Sequence, residues 1–185
     1  MQILKSDTQS REVEISKGGM KMNKWIKLII CILVSHAAGL VGGLFSTPSI
    51  AQWYANLNKP WFTPPGWIFA PVWLVLYTLI GIALYLVWIE KEKKNATNTT
   101  FSRPFNIAII AFGLQLILNA LWSALFFGLR SPLLGLIEIA ILWVVIIVTM
   151  IYFFRIRNVA GWLFIPYIIW VSFAVMLNIG ILLLN

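Results

Sequence analysis

Pro64-Pro65-Gly66-Trp67-Ile68-Phe69-Ala70-Pro71-Val72-Trp73 opens an apolar run that continues to Trp88, and its reading decides the fold class. Prolines cost little in the first turn of a helix, where the missing N–H would have no intrahelical partner. The two tryptophans offer flat, amphipathic rings of the kind that gather near a membrane surface, where they anchor a helix or line a cavity. Such an entrance followed by about 20 apolar residues reads as a membrane-spanning helix.

Four further apolar runs flank this one, and the predicted spans are 25–45, 65–88, 104–128, 132–154 and 159–184. Each is long enough for a hydrocarbon core of about 30 Å at about 1.5 Å per residue. Hydrophobic residues make up 61% of the chain and charged residues 11%, against about 45–50% and about 25% in soluble domains. The expected fold is an all-α integral membrane protein, a five-transmembrane-helix bundle over residues 21–185. Residues 1–20 are polar and unpatterned and read as a disordered tail or extension.

A formal charge of +8 invites a nucleic-acid reading, which the placement of the basic residues excludes. One end of the bundle receives Lys5, Arg11, Lys17, Lys21, Lys24, Lys27, Lys91, Lys93, Lys94, Arg103, Arg155 and Arg157; the other has Lys59 and Arg130. Basic residues concentrate on the cytoplasmic side of membrane proteins. The N-terminus is therefore expected inside and the C-terminus outside, with the bilayer and not a nucleic acid as the charged partner.

Cys31, the one cysteine, excludes an internal disulfide and cannot make a zinc site alone. The basic stretch 21–27 before an apolar run resembles the start of a signal peptide, with Ser49-Ile50-Ala51 as a cleavage site. The run is long for such a segment, and its glycines suit a packing face, so the first span is expected to remain. Within it, Gly39 and Gly43 form a G-x-x-x-G pair suited to close helix packing.

The longest outward loop is expected at 46–63. After Pro48 a short amphipathic helix is expected, with Ile50, Trp53, Tyr54 and Leu57 on one face as a lid over the bundle mouth. Asn95-Ala96-Thr97 and Asn98-Thr99-Thr100 match the glycosylation sequon but fall on the expected cytoplasmic side, where the match is attributed to chance.

The third span carries Gln115, Asn119 and Ser123 on one stripe. Interhelical hydrogen bonding is one reading, at about 0.6–2 kcal/mol per contact; ligand recognition is the other, strongest for Asn119. Rotated by about 100° is a small-residue face, Ala120, Ala124 and Gly128, suited to packing within the bundle or to a homodimer interface. Phe69, Trp73, Tyr77 and Gly81 line the second span, and Tyr167, Trp170, Ala174 and Asn178 the fifth. Counting along the helices brings Trp73, Asn119 and Trp170 to similar depth beneath the lid. An aromatic wall with few polar groups suits a flat, apolar small molecule, although such stripes also serve as packing.

Glu138 is an intramembrane acid, and therefore a functional suspect. About two turns into its span, it has a structural alternative in reaching the outer interface or Arg130. His36, the one histidine, reads as a hydrogen-bonded core residue ahead of a haem or metal ligand. No metal cluster, nucleotide loop or Ser/His/Asp set is present in the sequence, so no metal or other cofactor is expected and hydrolytic catalysis has no candidates.

Trp53-Tyr54, Leu57, Lys59-Pro60, Pro64-Pro65, Phe69, Val72-Trp73 and Leu76-Tyr77 resemble the first loop and second helix of the TspO/MBR family. Asn119-Ala120-Leu121-Trp122-Ser123 with Phe126-Phe127 resembles its third helix, and Pro166-Tyr167, Trp170, Ser172-Phe173-Ala174 and Leu177-Asn178 its fifth. The resemblance covers about residues 25–185. It implies a bacterial cell-membrane protein, usually dimeric, acting as receptor or transporter for porphyrins, haem and related tetrapyrroles, with a stress-sensing role. In some members it implies light-dependent porphyrin breakdown, for which Trp73 and Trp170 would be the reacting residues. Carried over by position, the ligand-binding residues are Tyr54, Trp73, Asn119, Trp170, Ala174 and Asn178. Two departures limit the carry-over: Phe62 stands where some members have tryptophan in the turn before the two prolines. The sterol pattern Leu/Val-x-Tyr-x-Lys/Arg after the fifth helix is absent, so sterol transport is not carried over.

Overall fold

The computed structural model describes residues 22–96 and 102–185. Helix α1 spans Lys24–Gln52 and ends in a 3-10 turn, Tyr54–Asn56; a second 3-10 turn, Gly66–Ile68, leads into α2, Phe69–Ala96. Helix α3, Ser102–Ser123, continues as a π-helical turn, Ala124–Gly128, followed by α4 (Pro132–Ile156), the short α5 (Asn158–Trp162) and α6 (Ile165–Leu184). Among the described residues, five helical stretches are long and apolar enough to cross a membrane: Lys24–Gln52, Gly66–Asn95, Arg103–Gly128, Pro132–Ile156 and Asn158–Leu184. The chain is a multi-pass membrane bundle. The tail at 1–20 and the sequon Asn98-Thr99-Thr100 lie outside the described residues.

Local chemistry explains where these helices begin and where they outrun expectation. The Asn23 side chain caps α1 by accepting from the Trp25 N–H at 3.0 Å. The helix does not stop near 45 but passes through Pro48, and the separate amphipathic helix expected after that proline does not form. Proline removes one backbone bond. Around the gap, Ser46 Oγ donates to the Gly42 carbonyl (3.0 Å) and Thr47 Oγ1 to the Gly43 carbonyl (2.8 Å). Ser49 Oγ then donates to the Phe127 carbonyl at 2.8 Å, fastening this turn to the end of α3.

Helix α2 runs past the expected end at Trp88, because a nearly buried Lys27 pairs with Glu92 and ties α1 to this extra length. Lys93 and Lys94 in its last turn complement the negative helix end. At the opposite end of the bundle, Arg130 adopts a positive φ of 53° in the tight corner after the π turn. Ser131 then caps α4, accepting from the Leu134 N–H at 3.3 Å, and Pro132 fills the first helical position.

In the bundle, α1 lies between α2 and α3, α4 lies between α3 and α6, and α5 closes against α4 and α2. Helices α2 and α6 meet chiefly through large side chains. Gly81 allows α1 close to α2: a Cβ there would stand 2.8 Å from the Ile32 Cα. The expected G-x-x-x-G pair is corrected. Gly39 faces the Tyr77 ring and Gly42 faces Ser123 Oγ, while a Cβ on Gly43 would meet nothing within 4 Å. Packing thus follows the i, i+3 row of α1.

The half remote from loop 1, the segment 53–65 between α1 and α2, has a mainly apolar core. Phe112, Phe153 and Phe164 pack there with centroid separations of 5.8, 4.9 and 6.3 Å, beside fully buried Ile146 and Ala160. The other half carries the polar stripe of α3.

Candidate functional site

Asn119 lies at the centre of this polar half. Its Oδ1 accepts from the Tyr77 hydroxyl of α2, and its Nδ2 donates to the Tyr167 hydroxyl of α6 at 3.1 Å. Tyr167 in turn donates to Gln115 Oε1 at 2.8 Å. Two amides and two phenols thereby join α2, α3 and α6. Unpaired polar groups are costly away from water, which explains why the stripe faces inward. Ser123, third on the stripe, instead meets Gly42 of α1.

Aromatic side chains surround this network. Trp73 stacks on Tyr77 (centroids 5.3 Å, planes 25° apart) and meets Tyr167 edge-on at 6.3 Å. Trp170 meets Phe69 edge-on at 5.8 Å and Phe173 at 5.5 Å. The stripes of α2 and α6 therefore face each other. Trp73 and Asn119 are brought together through Tyr77, and Trp170 lies beside them through Phe69. Trp170 also borders a groove of about 560 Å³ on the outside of α6, lined with Pro64, Ile168, Ile169, Ser172, Phe173 and Met176.

The remaining carried-over residues are more dispersed. Tyr54 packs edge-on to Phe126 (6.3 Å) and Phe127 (5.6 Å), with Lys59 Nζ 4.9 Å from its ring centre. Burial raises its phenol above the ordinary pKa, so the ring stays neutral. Ala174 is half-buried against the core. Asn178 is buried and donates from Nδ2 to the Pro132 carbonyl at 2.7 Å, bridging α6 and α4. Of the small-residue face, Ala120 lies toward Gly42 and Gly128 toward Phe45, both in α1 of the same chain, while Ala124 begins the π turn.

Glu138 is 4% exposed and neither carboxylate oxygen has a hydrogen-bond partner. The expected alternative, Arg130, does not reach it: Arg130 Nη2 donates to Gln52 Oε1 at 3.4 Å. His36 Nδ1 bonds the Ile32 carbonyl at 3.0 Å, with its ring 5.9 Å from Tyr77. Among the described residues no group of three His, Cys, Asp or Glu side chains comes together to hold a metal ion.

A set of amide contacts at the mouth went unread in the sequence. Asn58 N–H donates to Asn185 Oδ1 (3.0 Å), Asn58 Nδ2 to the Leu184 carbonyl (3.2 Å), and Asn185 Nδ2 to the Asn58 carbonyl (3.0 Å). Nothing in the composition of either segment signals a pairing across 127 residues. The contact between Phe62 and Phe173, at 6.2 Å, seats the rest of loop 1 on α6.

The model of the TspO/MBR family matches residues 31–184. The chain is 45% identical over 166 residues to the tryptophan-rich protein TspO of Chlorobaculum tepidum, covering 89% of this chain and 99% of that protein. It is 42% identical to the tryptophan-rich protein TspO of Archaeoglobus fulgidus, over 86% of this chain and 97% of the other. It is 31% identical to the translocator protein of Homo sapiens, over 83% and 87% respectively. With the five-helix bundle and the facing aromatic stripes, these matches establish that the chain belongs to the TspO/MBR family.

Proposed function

We propose that this protein is a membrane receptor or transporter that binds porphyrins and related tetrapyrroles in the aromatic half of the bundle, beneath loop 1. The observation that carries the reading is the meeting of two aromatic faces, Phe69-Trp73-Tyr77 and Tyr167-Trp170, around the Asn119 amide. Flat apolar ligands are held by such walls, with a few polar groups fixing orientation. Relatives named translocator protein and tryptophan-rich sensory protein are consistent with transport or sensing.

In this reading a macrocycle slides between Trp73 and Trp170, trading the existing ring contacts for its own faces. Each aromatic pair is worth about 0.5–1.5 kcal/mol beyond burial, so the exchange is nearly balanced before apolar area is counted. Asn119 turns one of its two hydrogen bonds toward the ligand. The basic residues support an N-terminus inside a bacterial cell, with loop 1 facing out.

A titration of the purified protein with protoporphyrin, followed by the Soret band and tryptophan fluorescence, tests the reading. Saturable quenching is expected in the wild type and a large loss of it when Trp73 and Trp170 are both replaced by phenylalanine. An unchanged titration in that double variant would overturn the pocket. The stacking of Trp73 on hydrogen-bonded Tyr77 favours a second reading, light-dependent porphyrin breakdown. Under illumination in air, a Soret band that fades in the wild type and persists in the double variant supports it.

A further inference from the structure

Three buried acceptor atoms have no hydrogen-bond partner at the loop-1 end: Glu138 Oε1, Glu138 Oε2 and Asn178 Oδ1. Asn178 is 1% exposed, and because its Nδ2 is spent on the Pro132 carbonyl, its oxygen is turned toward α4. That oxygen lies 3.1 Å from where a Cβ on Gly135 would stand. Glu138 follows Gly135 at i+3, on the same face of α4, where successive Cβ positions are about 5–6 Å apart. Glu138 and the Asn178 oxygen therefore lie along the same face of α4, beside Gly135, and we treat them as one patch. Trp122 Nε1, a buried donor without a partner, borders the patch through its stack on Phe126 at 5.1 Å, the ring that abuts Gly135.

This patch holds three unpartnered acceptors against one unpartnered donor, Trp122 Nε1. The two basic residues at this end are committed elsewhere, Arg130 to Gln52 and Lys59 to the Ala55 and Leu57 carbonyls. A buried carboxylate requires a partner charge or a proton. A proton on Glu138 would turn one of the three acceptors into a single donor and bring no charge. A protonated primary amine brings three N–H donors and the compensating charge together.

We propose that Glu138 and Asn178 form a subsite for the ammonium group of an aromatic amine whose ring lies against the neighbouring aromatic walls. The proposal rests on the reading of this end of the bundle as ligand-binding space, and adds a charge and a donor count to what that space accepts.

The test compares 1-naphthylmethylamine with neutral 1-naphthalenemethanol on the full chain in an uncharged detergent. The amine is expected to bind about tenfold more tightly than the alcohol, as befits charge-assisted bonds. Glu138→Gln removes that preference and leaves alcohol binding within about twofold, a change too small to reflect lost packing. Gly135→Ala, whose methyl would press on Asn178 Oδ1, weakens the amine selectively and serves if the first variant does not fold, as judged by circular dichroism. Equal binding of amine and alcohol to the wild type overturns the subsite, as does a preference that survives in a folded variant. Competition by sodium chloride but not choline chloride would assign the patch to an inorganic cation and likewise overturn it. Protoporphyrin titrated into the same wild-type sample separates the two readings: failure there with the amine preference intact removes the tetrapyrrole assignment alone.

Discussion

Trp73 stacks on Tyr77 one helical turn away on α2, with ring centres 5.3 Å apart, while the Tyr77 hydroxyl bonds Asn119 on α3. The proposed ligand wall is thus braced by the network that holds three helices together. Altering the wall and altering the brace should have separable effects.

Trp73→Phe keeps an aromatic ring but loses indole area. Porphyrin affinity is expected to fall several-fold, equivalent to about 1 kcal/mol, with little change in thermal stability. Fluorescence titration beside a melting curve in detergent checks both halves; a drop in melting temperature with unchanged affinity would make Trp73 a packing residue.

Tyr167→Phe removes the donor to Gln115 Oε1 and the acceptor for Asn119 Nδ2. Gln115 Nε2 already lacks a partner, so the whole Gln115 side chain would be left unbonded. The expected loss is about 1–3 kcal/mol, larger than for Tyr77→Phe, which breaks a single bond. Thermal unfolding of both variants under one condition measures the order.

Gly180 carries no side chain where a Cβ would run into the Pro60 ring. Gly180→Leu is expected to push loop 1 away from α6. Limited proteolysis should then cut between residues 57 and 65 at a raised rate while the helix content by circular dichroism stays constant.

Ala124→Leu probes the small-residue face. If copies of the chain pair through it, assembly is disrupted with porphyrin affinity unaltered within about twofold, a shift below 0.5 kcal/mol. Size-exclusion chromatography with light scattering reads the first effect. An unchanged mass removes this face as the interface.

Orientation is accessible because Cys31 is buried and gives a low labelling background. Lys59→Cys should react with an impermeant maleimide added to intact cells. Arg157→Cys should react only after the membrane is opened.

The spans were legible because hydrophobic length is set by bilayer thickness, and little else produces such runs. The aromatic stripes of α2 and α6 were legible too, since four-residue spacing determines which side chains share a face. Helix ends were less so. Pro48 reads as a stop, yet hydroxyl bonds from Ser46 and Thr47 and the grip of Ser49 on Phe127 carry α1 onward. The π turn at Ala124–Gly128 has no distinct composition, and it removes the strict four-residue spacing on which the face of Ala120, Ala124 and Gly128 was read. Glu138 stood out from the sequence, but its isolation from Arg130 depends on the corner at Arg130, a backbone feature with no local sequence signal.

The amide contacts between Asn58 and the end of α6, set beside the bond from Ser49 to Phe127, make loop 1 a strap buckled at its middle and just before its start. A strap of this kind does not swing like a flap. If the proposed ligand lies beneath it, release would need several of these bonds to open together, so replacing Asn58 or Asn185 would shorten the stay of a ligand more than it would weaken its hold.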